Sequence, residues 1–206
     1  MNAEQFADRA PIHPGSLADY QTWETLLRKW NARINLVAPK SLPEFWERHA
    51  LDSAQLLPMI PQKARTIVDF GSGAGFPGLA VAIQAKHADL DQTVHLIESA
   101  GKKASFLKSV SRETSLKTVI HSARIESLPT LNADIVTARA FAPLHRLFPL
   151  AWQHLGKGGQ LVLLKGEAVD DELTEVSKNW IFTSQRTASL SNDGGCVLQI
   201  SGLAPA

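Results

Sequence analysis

The chain has 206 residues, a formal net charge of +1 and 44% apolar residues, which excludes a disordered chain and a basic field over the whole surface. Its single cysteine, Cys196, excludes an internal disulfide framework and a cysteine-based metal site, so we expect a reducing, cytoplasmic compartment. The sequence shows neither a signal-peptide pattern nor an apolar run of about 18 residues, and we expect no membrane association.

The first 62 residues are predicted to be helical. In "SLADYQTWETLLRKWNARINLV", residues 16–37, apolar side chains recur at steps of three and four, which is typical of one buried helix face. A second helix is predicted in "LPEFWERHALDSAQLLPMI", residues 42–60. We therefore predict that residues 1–62 form a helical extension packed on the rest of the chain.

From residue 63 onward, short apolar segments alternate with helical ones. The segments "TIVDF", "TVHLIE", "TVIH", "ADIVTARA" and "GQLVLLKG" are predicted strands, and each is followed by a helix or a turn. Such alternation is typical of a parallel sheet with helical crossovers. The last two segments, "WIFTSQRTASL" and "GCVLQISG", are joined by the turn-rich residues 191–195 and predict an antiparallel hairpin at the sheet edge. Residues 63–206 are thus predicted to form an α/β unit with a mostly parallel, seven-stranded sheet.

A glycine-rich segment, "GSGAGFPG", joins the first predicted strand to the next helix at residues 71–78. Glycine allows positive φ and close approach of a ligand, and a helix N-terminus offers unpaired N–H groups. A triphosphate site is disfavoured because no Gly-Lys-Ser/Thr follows. Three of the glycines match G-x-G-x-x-G, so a nicotinamide or flavin site remains open beside S-adenosylmethionine.

Two acidic residues stand at the ends of the first two strands. Asp69 precedes the glycines by two positions, where a carboxylate could hold the ammonium of S-adenosylmethionine. Glu98 ends the second strand, where an acid can accept both ribose hydroxyls of S-adenosylmethionine or of a dinucleotide. The antiparallel tail and the lack of a second domain favour a methyltransferase. The alternative is a small NAD-type oxidoreductase, with His49 as the acid near the hydride.

Two basic residues follow neighbouring strands, Arg139 after "DIVTA" and Lys165 after "LVLL". Both lie at the sheet edge where ligands bind, and two cations there suit RNA phosphates. Arg139 is predicted to pair with Glu98, Asp69 or a phosphate.

The helical extension contains a further pair of polar residues, His49 and Asp52, which share a helix face. We interpret them as a hydrogen bond that fixes the extension against the glycine loop, in preference to a general base.

Seven segments together resemble the RsmG (GidB) family of bacterial methyltransferases, which act on small-subunit ribosomal RNA. They are "KWNARINLV", "ERHALDS", "VDFGSGAGFPGLAVAI", "ESAGKKASFLK", "ARIES", "VTARAFAPL" and "LLKG", in order from Lys29 to Gly166. The resemblance implies a Rossmann-like class I methyltransferase that uses S-adenosylmethionine. It also implies that the methyl acceptor is N7 of a guanine in 16S ribosomal RNA, guanine 527 in the 530 loop.

The resemblance places the contacts to S-adenosylmethionine on residues in three segments of the chain. These residues are Gly71 and Phe76 in the glycine loop, Ile125 and Glu126 in "ARIES", and Arg139 in "TARAFA". Phe76 replaces a smaller aliphatic residue, so its contact is expected through the main chain. With the acids Asp69 and Glu98 and the middle glycine Gly73, they form the predicted cofactor site.

The implied reaction explains which catalytic groups are expected. Guanine N7 has a lone pair and no proton, so we predict no catalytic acid or base, and Arg139 and Lys165 as positioning residues for a ligand carboxylate or RNA phosphate. In the basic run of residues 101–117, Lys102 and Lys103 are predicted RNA contacts, together with Lys165. We expect the 30S subunit or an assembly intermediate as partner, no metal, and a monomer.

Overall fold

The computed structural model describes residues 1–191 and 193–206 and contains one mixed sheet. Its strands are β1 (Thr66–Phe70), β2 (Thr93–Ile97), β3 (Thr118–His121), β4 (Ala133–Arg139), β5 (Leu155–Lys165), β6 (Trp180–Ala188) and β7 (Cys196–Pro205). The order across the sheet is β3-β2-β1-β4-β5-β7-β6, and among these strands β7 runs opposite to the other six. The predicted seven-stranded, mostly parallel sheet with an antiparallel hairpin is confirmed.

Helices cover both faces of this sheet. They are α1 (Ala3–Arg9), α2 (Leu17–Asn31), α3 (Asp52–Ala54), α4 (Gly78–His87), α5 (Gly101–Glu113), α6 (Leu144–His154) and α7 (Val169–Val176). Because side chains alternate along a strand, Ile67 of β1 packs with α4 and α5, whereas Val68 packs with α6 and α7. Each face of the sheet therefore has its own hydrophobic core.

The strand order reverses between β1 and β4. From β1 the chain continues to β2 and β3 on one side, whereas β4 leads to β5 on the other. The loops after β1 and β4 therefore diverge and leave a crevice at the carboxyl ends of these strands. The glycine loop and Arg139 border this crevice.

The N-terminal extension packs on the face that carries α4 and α5. Phe6, Tyr20, Trp23 and Phe45 are fully buried, and their hydrophobic cluster continues into Leu79 of α4 and other residues of that face. Among the described residues, one hydrophobic cluster includes both the extension and this face of the sheet, and the boundary at residue 62 stays a prediction.

The second helix predicted in the extension is irregular. The segment has a 3₁₀ turn at Pro39–Glu44, a π-helical stretch at Phe45–Leu51 and one α-helical turn at α3. Pro43 lies in the 3₁₀ turn, and proline cannot donate the backbone hydrogen bond that a regular helix needs. The segment thus changes helix type just before His49 and Asp52.

The hairpin connector predicted at residues 191–195 joins β6 to β7, and its Asn192 lies outside the described residues. Among the described residues, no helix combines the length and apolar character needed to cross a membrane.

Candidate functional site

The glycine loop, residues 71–78, has left-handed backbone angles at three positions: φ is +66° at Gly71, +53° at Gly73 and +96° at Gly75. A methyl group at Gly71 would lie 2.5 Å from the ring of Phe141, and one at Gly75 would collide with Leu79. At Gly73 the nearest atom is a backbone oxygen at 3.7 Å. Protein side chains thus fill the space at two of these glycines, and the third offers an open face to a ligand.

Asp69 lies fully buried beneath this loop. Its Oδ1 accepts a hydrogen bond of 2.8 Å from the hydroxyl of Thr137, and burial raises its pKa to about 7. A methyl group at Gly78 would lie 2.7 Å from Oδ2, so glycine there leaves room for the carboxylate. These contacts make Asp69 a support of the loop, and its predicted bond to a ligand ammonium stays a prediction.

Glu98 joins the second strand to the glycine loop. Its Oε2 accepts from the backbone N–H of Gly73 at 3.0 Å, and its Oε1 accepts from that of Ala100 at 2.7 Å. Each carboxylate oxygen has a second lone pair that a ribose hydroxyl could use. Glu98 therefore lies beside the open glycine, where a ribose-binding acid is expected.

Ile125 and Glu126 lie in a single 3₁₀ turn, Ile125–Ser127, after β3. Ile125 is buried in the same cluster as Ile97, which precedes Glu98. Glu126 is exposed. Both residues follow β3, which ends at the same edge of the sheet as the crevice, and their cofactor contacts stay predictions.

Arg139 is held by residues of the N-terminal extension. Its Nε lies 3.2 Å from Oδ2 of Asp52, and its Nη2 donates to Nδ1 of His49 at 2.9 Å. The predicted pairing with Glu98 or Asp69 is wrong, because the carboxylate that pairs with Arg139 is that of Asp52. Among the described residues, Nη1 of Arg139 is buried and has no protein partner.

His49 is a neutral acceptor in this cluster. Burial, and next the positive charge of Arg139, lower the pKa of His49 to about 3. Because Nδ1 accepts from Arg139, the ring proton is assigned to Nε2. His49 and Asp52 thus both bind Arg139 and do not form the predicted hydrogen bond with each other. A neutral imidazole is also a poor acid for a hydride-transfer site.

The side chain of Phe76 anchors the extension. Its ring lies 4.6 Å from that of Trp23 and 4.8 Å from that of His49, between centroids, and the guanidinium of Arg139 lies 5.4 Å from its centre. Trp23 Nε1 also donates to the backbone oxygen of Ala74 at 3.0 Å. The extension therefore fixes the glycine loop from behind, which leaves the main chain of Phe76 for the expected ligand contact.

A cavity of about 980 Å³ opens beside Arg139. Its lining comes from the ends of β4 and β5, from the extension and from the connector between β6 and β7. Phe141, the residue that covers Gly71, belongs to this lining. The glycine loop and the cavity are thus neighbours that share one aromatic side chain.

Lys165 borders the same cavity and is already paired. Its Nζ lies 2.6 Å from Oε2 of Glu172, which also accepts from the backbone N–H of Leu144 at 2.7 Å. The lysine side chain is only 10% exposed. Lys165 therefore fixes α6 and α7 to the end of β5, and its predicted phosphate contact would require this ion pair to open.

The predicted RNA contacts Lys102 and Lys103 lie in the first turn of α5, at the carboxyl edge of the sheet. Further along the basic run, Lys117 pairs with Asp91. Within residues 1–191 and 193–206, neither Lys102 nor Lys103 has a carboxylate within 4.0 Å, and no cluster of three or more potential metal ligands occurs.

These contacts fit S-adenosylmethionine better than a dinucleotide. The open face at Gly73 lies beside Glu98, and the unpartnered Nη1 of Arg139 could receive a ligand carboxylate. Sequence reasoning missed the position of Phe141 over Gly71 and the hydrogen bond of Trp23 to the glycine loop, although each residue carries a signal. Phe141 is aromatic next to a strand-end arginine, and Trp23 is a polar-tipped aromatic on a buried helix face.

Comparison with known proteins agrees with this geometry. The protein from Paramagnetospirillum magneticum named ribosomal RNA small subunit methyltransferase G is 44% identical over 97% of this chain and 95% of its own length. Its namesake from Rhodospirillum rubrum is 44% identical over 97% of both chains. Relatives at this identity support the predicted methyltransferase activity and its cofactor, S-adenosylmethionine, and not the oxidoreductase alternative.

Solved structures are similar in fold alone. An Aquifex aeolicus SAM-dependent methyltransferase superposes with a TM-score of 0.59 at 13% identity, covering 84% of this chain and 96% of the other. A Bacillus cereus O-methyltransferase in complex with SAH gives 0.59 at 16% identity, covering 88% and 90%. The family model described as GidB, rRNA small subunit methyltransferase G, matches residues 16–195. The chain therefore belongs to the rRNA small subunit methyltransferase G family.

Proposed function

We propose that this protein transfers the methyl group of S-adenosylmethionine to N7 of a guanine in 16S ribosomal RNA. The observation that carries the proposal is that the open face of the glycine loop and a large cavity adjoin each other at the crevice. The open face of Gly73 suits the cofactor, and the adjoining cavity of about 980 Å³ is large enough for a nucleotide. Phe141 and Arg139 lie between them.

The residues around Gly73 have separate roles in holding the cofactor. S-adenosylmethionine supplies an electrophilic methyl group when bound. Glu98 fixes the loop and accepts ribose hydroxyls, while Nη1 of Arg139 donates to the carboxylate. Ile125 contributes apolar surface for adenine, and Glu126 a polar contact beside it. Asp69 keeps the loop in place from below.

The reaction at N7 needs positioning and a dry site. Guanine N7 attacks through its lone pair without losing a proton, so the protein has no base to supply. The polar groups nearest the crevice agree with this, since Asp69 is buried under the loop and His49 is neutral and bonded to Arg139. Arg139 and Lys165 act as positioning residues.

We propose that RNA approaches over the first turn of α5, where Lys102 and Lys103 face phosphates. The substrate is the 30S subunit or an assembly intermediate, and the protein acts as a cytoplasmic monomer.

The direct test is methyl transfer from labelled S-adenosylmethionine to 30S particles that lack the modification, with the modified nucleotide mapped. We expect label at N7 of one guanine, and none with 50S particles. Label on an exocyclic amine or a ribose would contradict the proposal. Calorimetry with S-adenosylhomocysteine and with NAD tests the cofactor separately, and binding of NAD alone would favour the oxidoreductase.

A further inference from the structure

The cavity beside Arg139 has an unexpected amount of acidic lining for a site that receives RNA. Five carboxylates contribute to it: Glu44, Glu47, Asp52, Glu167 and Glu172. Unpaired carboxylates repel RNA phosphates, so we expect each of these groups either to pair with a cation or to bind a ligand.

Four of the five carboxylates are paired with cations. Glu44 pairs with Arg48 at 3.2 Å, Asp52 with Arg139 at 3.2 Å, and Glu172 with Lys165 at 2.6 Å. Glu47 lies 3.8 Å from both the N-terminal ammonium and Arg9. These pairs neutralise the walls of the cavity, and the pair of Asp52 with Arg139 joins the extension to the sheet.

Glu167 is different. Among residues 1–191 and 193–206, its carboxylate has no hydrogen bond and no cation within 4.0 Å. It lies two residues beyond the end of β5 and is exposed, and its side chain contacts Gly194 in the connector before β7. A methyl group at Gly194 would lie 2.7 Å from Cγ and 2.8 Å from Oε1 of Glu167. The exposed carboxylate thus lies at the edge of the cavity and is available to a ligand.

We propose that Glu167 recognises the Watson–Crick edge of the target guanine by accepting its N1–H and N2–H groups. This inference rests on the proposed transfer to guanine N7. An ionised carboxylate accepts hydrogen bonds and cannot donate them, so its two oxygens match the two adjacent donors of guanine. Adenine presents an acceptor at N1 and is rejected, although its N7 also carries a lone pair.

The position of Glu167 also suits the charge that the reaction creates. The N7 lone pair forms the new N–C bond, the C–S bond breaks, and its electron pair remains on sulfur. The positive charge passes from sulfur to the purine ring. A carboxylate at the opposite edge of the base stabilises that charge, whereas a cation there would oppose it. N7 stays free because the two edges face different directions.

The test compares guanine with hypoxanthine, which lacks the N2 amine but keeps N1–H and N7. Reconstituted 30S particles would carry either base at the mapped position, and kcat/KM would be measured for wild-type protein and Glu167→Gln. We expect wild type to prefer guanine by roughly tenfold to 100-fold. In Glu167→Gln we expect lower activity on guanine and a ratio of kcat/KM for guanine over hypoxanthine near one, because an amide can accept on one side only.

Asp171→Asn is the matched control, since it removes the same charge from an exposed residue of α7 outside the cavity lining. It should keep the wild-type base preference. Unchanged affinity of Glu167→Gln for S-adenosylhomocysteine would show that the variant is folded. If that variant keeps the full preference for guanine, the role of Glu167 is wrong while the proposed N7 transfer stands. If wild type labels no guanine N7, the proposed function itself fails.

Discussion

The two halves of the site are built by different kinds of interaction. On the cofactor side, packing fixes the glycine loop: Phe141 fills the space at Gly71, Leu79 fills that at Gly75, and Asp69 lies under Gly78. On the substrate side, ion pairs fix the cavity through Arg139 and Lys165. Packed glycines allow one backbone position, whereas ion pairs at a cavity wall can open and re-form. We infer a preformed cofactor site beside an adaptable RNA site.

The largest effects are expected in the glycine loop, where one alanine substitution should mainly lower stability and another should mainly abolish cofactor binding. Gly71→Ala places a methyl group against the ring of Phe141 at a positive φ, so unfolding free energy should fall by about 2–4 kcal/mol. Gly73→Ala meets only the strain of its φ, about 1–2 kcal/mol, but should abolish binding of S-adenosylhomocysteine.

Thermal unfolding and calorimetry on both variants separate these outcomes. If Gly73→Ala keeps wild-type affinity for S-adenosylhomocysteine, the open face at Gly73 is not the cofactor site.

The next effect is expected at Arg139. Arg139→Met would leave Asp52 charged and His49 without its donor, so kcat/KM should fall at least about tenfold and unfolding free energy by about 2–4 kcal/mol. In the double variant Arg139→Met/Asp52→Leu, stability should recover in part, because no unpaired charge remains but Gln55 and Ser191 lose the carboxylate to which they donate. Activity should not recover. Arg28→Gln, an exposed cation of α2 outside the cavity lining, is the control. Recovery of activity in the double variant would contradict a ligand contact by Arg139.

The stability contributions of the two halves should also change with pH in opposite directions. His49 has a pKa lowered to about 3, so its contribution to stability is complete above about pH 6.5 and is lost as the pH falls from there towards 3. Asp69 has a pKa raised from 3.8 to about 7, so its contribution is complete below about pH 3.8 and is lost as the pH rises towards 7. Each slope is at most about 1.4 kcal/mol per pH unit.

Urea unfolding between pH 4 and 8 measures these slopes. His49→Asn should make the stability of the protein decrease more steeply with rising pH, because the term of Asp69 is then unopposed. Asp69→Asn should have the reverse effect. Equal slopes in wild type and both variants would show that neither group is perturbed as described.

The smallest effects are expected at the RNA surface. Lys102→Ala and Lys103→Ala should each reduce the slope of log affinity for 30S particles against log salt by about one, without changing affinity for S-adenosylhomocysteine. Lys178→Ala, an exposed lysine after α7, is the matched control. An unchanged salt slope in the double Lys102/Lys103 variant would remove α5 from the RNA footprint.

Local patterns in the sequence determined the fold class. Alternating apolar segments predicted all seven strands, with β1 and β3 at the observed bounds, because burial on one face of a strand leaves a period in the sequence. The glycine loop and Glu98 were placed at the crevice because parallel strands end at one edge of a sheet. The family resemblance added the chemistry of the reaction.

Contacts between distant residues were decided only by the tertiary structure. Arg139 binds His49, 90 positions away, and Gly71 is small because Phe141 covers it. Phe76 packs on Trp23 instead of facing a ligand. Periodicity shows which side of an element is buried, but the partner on that side depends on how the elements pack. For this protein the sequence therefore determined where ligands bind, and packing of the extension determined which side chains remain free to bind them.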